Sequence, residues 1–144
     1  MEGNDLMNYD TRGYGIMFEG VLASPPKERL LPIFKKATND WESLIPKWVP
    51  NELPLKSMID TTNRLGIGCE VYTFLSPDAV DPIDKWLIRK GVSVPVHYYE
   101  DAKYLEYDLR FKRSILTVLV ADADDAAILG IRSRMVAPDR GWVL

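Results

Sequence analysis

The segment ILTVLVA, Ile115 to Ala121, constrains this chain more than any other stretch. Its apolar run lacks the in-and-out alternation of a strand with one wet face. A strand of this kind is covered on both faces, the usual situation inside a parallel sheet. Parallel neighbours cannot be joined by tight hairpins, so helical crossovers must lie elsewhere in the chain.

Those crossovers are legible. A first strand is expected over about residues 15–23, within GYGIMFEGVLA. SPPKERLLPIFKKATNDWESL follows, with Ser24 as a cap and Leu30, Leu31, Phe34 and Ala37 at helical spacing. Pro46, Pro50 and Pro54 then recur every four residues, which predicts an exposed connector over 45–55 carrying Trp48. KSMIDTTNRLG reads as a short helix stopped by Gly66, and IGCEVYTFL as a strand rich in β-branched and aromatic residues. SPDAVDPIDKWLIRKG is the clearest helix. Ser76-Pro77 or Asp81-Pro82 opens it, Ile83, Trp86 and Leu87 form a face, and Gly91 ends it. VSVPVHYY is a short strand, the polar EDAKYLEYDLRFKRS admits a helix, DAAILGIRS is a short helix, and RMVAP is a last strand. The order β–α–α–β–α–β–α–β–α–β predicts a three-layer α/β/α sandwich around a mainly parallel five-stranded sheet.

With 144 residues the chain fits a single domain, 1–144, of which 1–12 reads as a loose N-terminal segment. A net charge of −3 without a block of Lys and Arg argues against general affinity for nucleic acid or an anionic membrane. No apolar run approaches the roughly 20 residues that span a bilayer. One cysteine, Cys69, and one histidine, His97, exclude a disulfide framework and an ordinary Cys/His zinc site. The opening MEGNDLMNYD has neither a basic leader nor a hydrophobic signal core, so a soluble cytoplasmic protein is expected.

In parallel α/β sheets, ligands sit beyond the carboxyl ends of the strands, where the strand order reverses. Polar residues fall at three such ends: Glu19-Gly20, Thr73 with Ser76, and the group Asp122, Asp124 and Asp125. Taken together, IMFEGVLA, VYTFLSPDAVDPIDKWLIRKGV and TVLVADADDAAILGIRSRMVAP resemble the motifs of the haloacid dehalogenase (HAD) superfamily in order and spacing. The resemblance covers about residues 15–138 and implies a capless member of a group composed mostly of Mg²⁺-dependent phosphatases. It implies Glu19 at the acid/base position, Thr73 and either Lys103 or Lys112 as phosphate ligands, and Asp122, Asp124 and Asp125 as Mg²⁺ ligands. At the position of the nucleophilic aspartate, however, this chain has Met17. A thioether has no ionisable oxygen with which to attack phosphorus, and it is a poor Mg²⁺ ligand. The resemblance therefore implies a pseudo-phosphatase acting as a binding or regulatory protein, with Mg²⁺ held weakly or not at all. Its small capless build also resembles bacteriophage accessory proteins, which would place it in a host cytoplasm.

A second register keeps an enzyme in view. YDTRGYG offers Asp10 as nucleophile with Arg12 in the acid/base place, which gives an active Mg²⁺-dependent phosphatase on a nucleotide or a phosphorylated nucleic-acid end. A receiver-like or flavodoxin-like module with a coincidental acidic edge is the third reading. Each polar residue also has a plainer role. Asp122, Asp124 or Asp125 can cap a helix, Thr73 can satisfy local backbone, both lysines can be surface charges, and Cys69 can be buried and inert. Trp41 and Trp48 either seal the core or form a protein-contact patch, which Trp142 would extend.

Overall fold

Strand β1, Gly13–Met17, runs through the middle of the sheet with all five residues buried. Its two glycines are there because nothing larger fits. A Cβ on Gly13 would collide with the Gly68 carbonyl oxygen, and one on Gly15 with the ring of Tyr72, itself fully buried. The computed structural model describes residues 13–26 and 40–144; most of the helix expected over 24–44 lies outside the described residues, while Ser24, its expected cap, belongs to a short strand and Trp41–Leu44 is helical.

Four more strands complete the main sheet: β4 (Cys69–Thr73), β5 (Val96–Tyr98), β6 (Ile115–Val120) and β7 (Ser133–Met135). All pair in parallel, in the order β5-β4-β1-β6-β7. The helices are α1 (Trp41–Leu44), α2 (Glu52–Leu65), α3 (Val80–Arg89), α4 (Ala102–Leu109) and α5 (Ala123–Leu129). With the right-handed crossovers usual in parallel sheets, the strand order puts α2 and α3 on one face and α4 and α5, which pack on each other, on the other. The three-layer α/β/α sandwich expected from the sequence is what forms. No helix among the described residues is long and apolar enough to cross a membrane.

Several local expectations change. The first strand does not run on to residue 23. Leu22 and Ala23 donate back to the Phe18 carbonyl at 3.1 and 3.0 Å, which folds Phe18–Leu22 into a turn. Ala23–Ser24 then forms a separate strand, β2, antiparallel to β3 (Val49–Pro50). The proline-rich stretch is therefore a 3₁₀ turn (Ile45–Lys47), a strand and a helix start, with Pro46, Lys47, Val49, Glu52 and Leu53 exposed and Ile45, Trp48, Pro54 and Leu55 buried. Pro54 falls within the first turn of α2, where the missing N–H has no intrahelical partner to lose. Leu116, on β6, is 51% exposed, because β7 pairs only with Val118–Val120. Double-sided burial thus holds for the carboxyl half of that strand.

The tryptophan patch is also corrected. Trp41 and Trp48 are only 6% and 5% exposed. Phe18 lies between the Trp48 ring, centroid to centroid 5.5 Å, and the edge of Trp86 at 5.2 Å. The Trp86 indole N–H donates to the Trp48 carbonyl at 3.3 Å. Trp142 packs edge-on against Tyr14 and donates to the Pro54 carbonyl at 3.2 Å, pinning the last residues to α2.

Under α4 a polar clamp closes the other face. Lys112 Nζ lies 3.2 Å from Glu70 and 3.5 Å from Asp108, and Tyr72 donates to Glu70 at 2.8 Å. His97, in β5, contributes only a 3.7 Å contact with Glu70. Truncating a packed core tryptophan costs about 3–5 kcal/mol. Trp48→Ala is accordingly expected to lose that much unfolding free energy in a urea titration. A loss below about 1 kcal/mol would return Trp48 to the surface.

Candidate functional site

Strand order reverses at β1, whose neighbours β4 and β6 lead the chain away in opposite directions. A cleft at such a switch point is a geometric consequence of the topology. Here it measures about 330 Å³ and lies between Met17, Glu19 and Gly20 on one side and Ala121, Asp122 and Asp125 on the other.

The turn after β1 builds one wall. Phe18 N–H donates to the Tyr72 carbonyl at 2.9 Å, prolonging the β1–β4 pairing. Gly20 takes φ +90°, a conformation that disfavours side chains, and a Cβ there would also press on Ala121 at 3.2 Å. Asn51, at the start of α2, reaches back with Nδ2 to the carbonyls of Val21 at 2.9 Å and Gly20 at 3.4 Å. It holds the turn from behind.

Glu19 is the unusual group. Its Oε2 accepts a hydrogen bond from Phe74 N–H at 2.8 Å. Oε1 is buried and has no hydrogen-bond partner among the described residues. Burial raises the carboxyl from its ordinary range to about 7. The Phe74 N–H and the Thr73 hydroxyl pull the other way, and the charge of Asp125 adds to the rise. Thr73, fully buried, accepts from Leu75 N–H at 3.1 Å, so the plain backbone role is realised beside the Glu19 carboxyl.

The acidic wall is partly structural. Asp122 Oδ1 accepts from the N–H groups of Asp124 and Asp125 at 2.7 and 3.0 Å, which is helix capping. Asp125 is pushed upward by partial burial, then by Asp122, Asp124 and Asp101. Asp124 is exposed and does not line the cleft. No group of three or more His, Cys, Asp or Glu side chains converges to hold a metal ion among the described residues. Glu19, Asp122 and Asp125 line the cleft without forming such a group.

Neither lysine lines the cleft. Lys112 precedes β6, at the amino end of the sheet, and is engaged by Glu70, Asp108 and Tyr99. Lys103 lies near the start of α4 and lines a separate hollow with Asp101, Tyr104 and Tyr107. Met17 closes β1 and lines the cleft, a thioether residue at the position where the resemblance implies a carboxylate. Asp10 and Arg12, the alternative register, lie outside the described residues. Cys69 is buried and its thiol is pushed up to about 12 by that burial, so it stays protonated.

The comparison with protein-family models, curated proteins and solved structures finds no match for this chain.

Sequence reasoning missed Asn51 and the Phe74 N–H, the two groups that fix the Glu19 wall. An asparagine just before a helix is an ordinary cap candidate, and only the folded turn shows it reaching backwards. A backbone donor has no sequence signature at all.

Because the folded carboxyl titrates near 7 and an unfolded one near 4.5, the native state binds the extra proton between those values. Its contribution to stability is complete below about 4.5 and is lost as pH rises through 7. Glu19→Gln keeps the acceptor for Phe74 and removes the titration. Urea titrations at pH 5 and pH 8 are expected to show the wild type losing up to about 3 kcal/mol more than the variant over that interval. Parallel behaviour of the two proteins would refute the elevated value.

Proposed function

We propose that this chain is a HAD-like pseudo-phosphatase, a binding or regulatory domain whose cleft no longer carries covalent phosphoryl transfer. The observation that carries the reading is Met17 at the end of the central strand, lining the cleft beside Glu19. Covalent phosphatase chemistry needs an ionised oxygen at that position and a cation to hold the phosphoryl group. The cleft offers a thioether and carboxyl groups, with no lysine or arginine in its lining among the described residues. Three carboxyls facing a phosphate dianion repel it. A neutral hydroxyl, amide or ammonium group is better suited, since protonated Glu19 can donate a hydrogen bond and ionised Glu19 can accept one.

One observation favours an enzyme. A carboxyl titrating near 7 is poised for general acid–base catalysis at neutral pH. In that second reading Glu19 moves the proton and Asp10 supplies the nucleophile, giving a phosphomonoester hydrolase. On the first reading, p-nitrophenyl phosphate with millimolar Mg²⁺ is turned over no faster than in buffer alone, by wild type and by Asp122→Asn alike. Turnover that disappears in both Asp10→Asn and Glu19→Gln would establish the second reading instead.

A further inference from the structure

We infer that the hollow between β7 and the C-terminal segment is a binding site for an anionic group, phosphate or carboxylate, carried on an apolar body. It is distinct from the Glu19 cleft and does not depend on how that cleft is read.

The hollow measures about 550 Å³, within the usual range for small-ligand sites. Val136 N–H donates to the Val120 carbonyl at 2.8 Å, continuing the β7 pairing beyond the strand. The chain then turns at Ala137–Arg140 and returns to α2, where Trp142 N–H bonds Ser57 Oγ at 2.9 Å. That anchored return makes a fixed rim rather than a loose tail.

Two arginines line the hollow, Arg134 and Arg140, and no acidic residue does among the described residues. Arg134 gives one Nη1 hydrogen bond to the Val143 carbonyl. A guanidinium has five N–H donors, so that contact orients the group and leaves most of its capacity unused. Arg140 makes no side-chain hydrogen bond or ion pair among the described residues. By contrast, Arg110 is matched by Glu106 at 2.8 Å and Lys112 by Glu70. Two like charges around one concavity repel each other unless an anion lies between them, and paired guanidiniums suit the geometry of phosphate and carboxylate oxygens. Met135, Val136 and Pro138 add apolar surface for the rest of such a ligand.

Ala121 lines both this hollow and the Glu19 cleft. Positive and negative concavities therefore adjoin at the carboxyl edge of the sheet. An anion anchored by the arginines would have its far end at the acidic wall.

The test is an amide-resolved NMR titration of the full chain at low ionic strength, with inorganic phosphate, adenosine monophosphate and, as a control, sodium chloride at matched ionic strength. Shift changes concentrated in residues 134–142 are expected with both phosphates and not with chloride. Arg140→Gln should weaken binding at least tenfold while leaving the thermal midpoint without ligand unchanged. Arg64→Gln, elsewhere on the surface, should bind as wild type does. Stronger binding of the nucleotide would identify an organic phosphate as the ligand class, and equal binding would identify the phosphoryl group alone. Chloride reproducing the shifts, or Arg140→Gln binding as wild type does, would overturn the site.

Discussion

A hydrogen bond from Phe74 N–H to the Glu19 carboxylate joins the turn after β1 to the end of β4, beside the one from Phe18 N–H to the Tyr72 carbonyl. Placing a carboxyl in a poorly hydrated position is unfavourable, and the N–H groups of Phe74 and Glu19 and the Thr73 hydroxyl offset only part of that penalty. The remainder appears as an affinity for protons, which is why the group titrates near 7. The turn can bring the carboxyl there only because Gly13 and Gly15 allow β1 to run tight against its surroundings and Gly20 accepts φ +90°. Fold and site are thus linked through three glycines and one buried acid.

The edge carries charge of both signs in separate places. Acids surround the Glu19 cleft and arginines line the adjoining hollow, with Ala121 between them. Lys112, one of the two lysines that the resemblance offers as a phosphate ligand, is held at the far end of the sheet by Glu70 and Asp108. On the proposed reading, separation of this kind would suit recognition of a ligand by its two ends more than chemistry at a single phosphorus. The thioether of Met17 points the same way, since it adds apolar surface to the cleft and no reactivity.

Much of this architecture was legible in the sequence. The apolar run before Ala121 marked a parallel strand, and the alternation of strands and helices led to the three-layer sandwich. Glu19, Thr73 and the aspartates after β6 were placed correctly at the carboxyl edge, because strand ends are set by hydrophobic pattern. The misreadings share a cause. Proline spacing suggested an exposed connector, yet Pro54 fits a first helical turn and Trp48 buries its ring against Phe18. Glycine spacing gave no hint that β1 stops at Met17, since the turn that follows is held by long-range contacts with Asn51 and Tyr72. Tertiary contacts override local signals where a segment is apolar throughout. The arginine hollow was invisible because Arg134 and Arg140 are brought to one rim only by the anchoring of Trp142.

The most direct test is a ¹³C-detected NMR titration of the Glu19 side-chain carboxyl from pH 4 to pH 9. A midpoint near 7 is predicted, with the Phe74 amide proton shifting over the same range as its acceptor changes charge. A midpoint near 4.5 would mean that the carboxyl is solvated, and it would contradict the buried, proton-bearing wall on which this account rests.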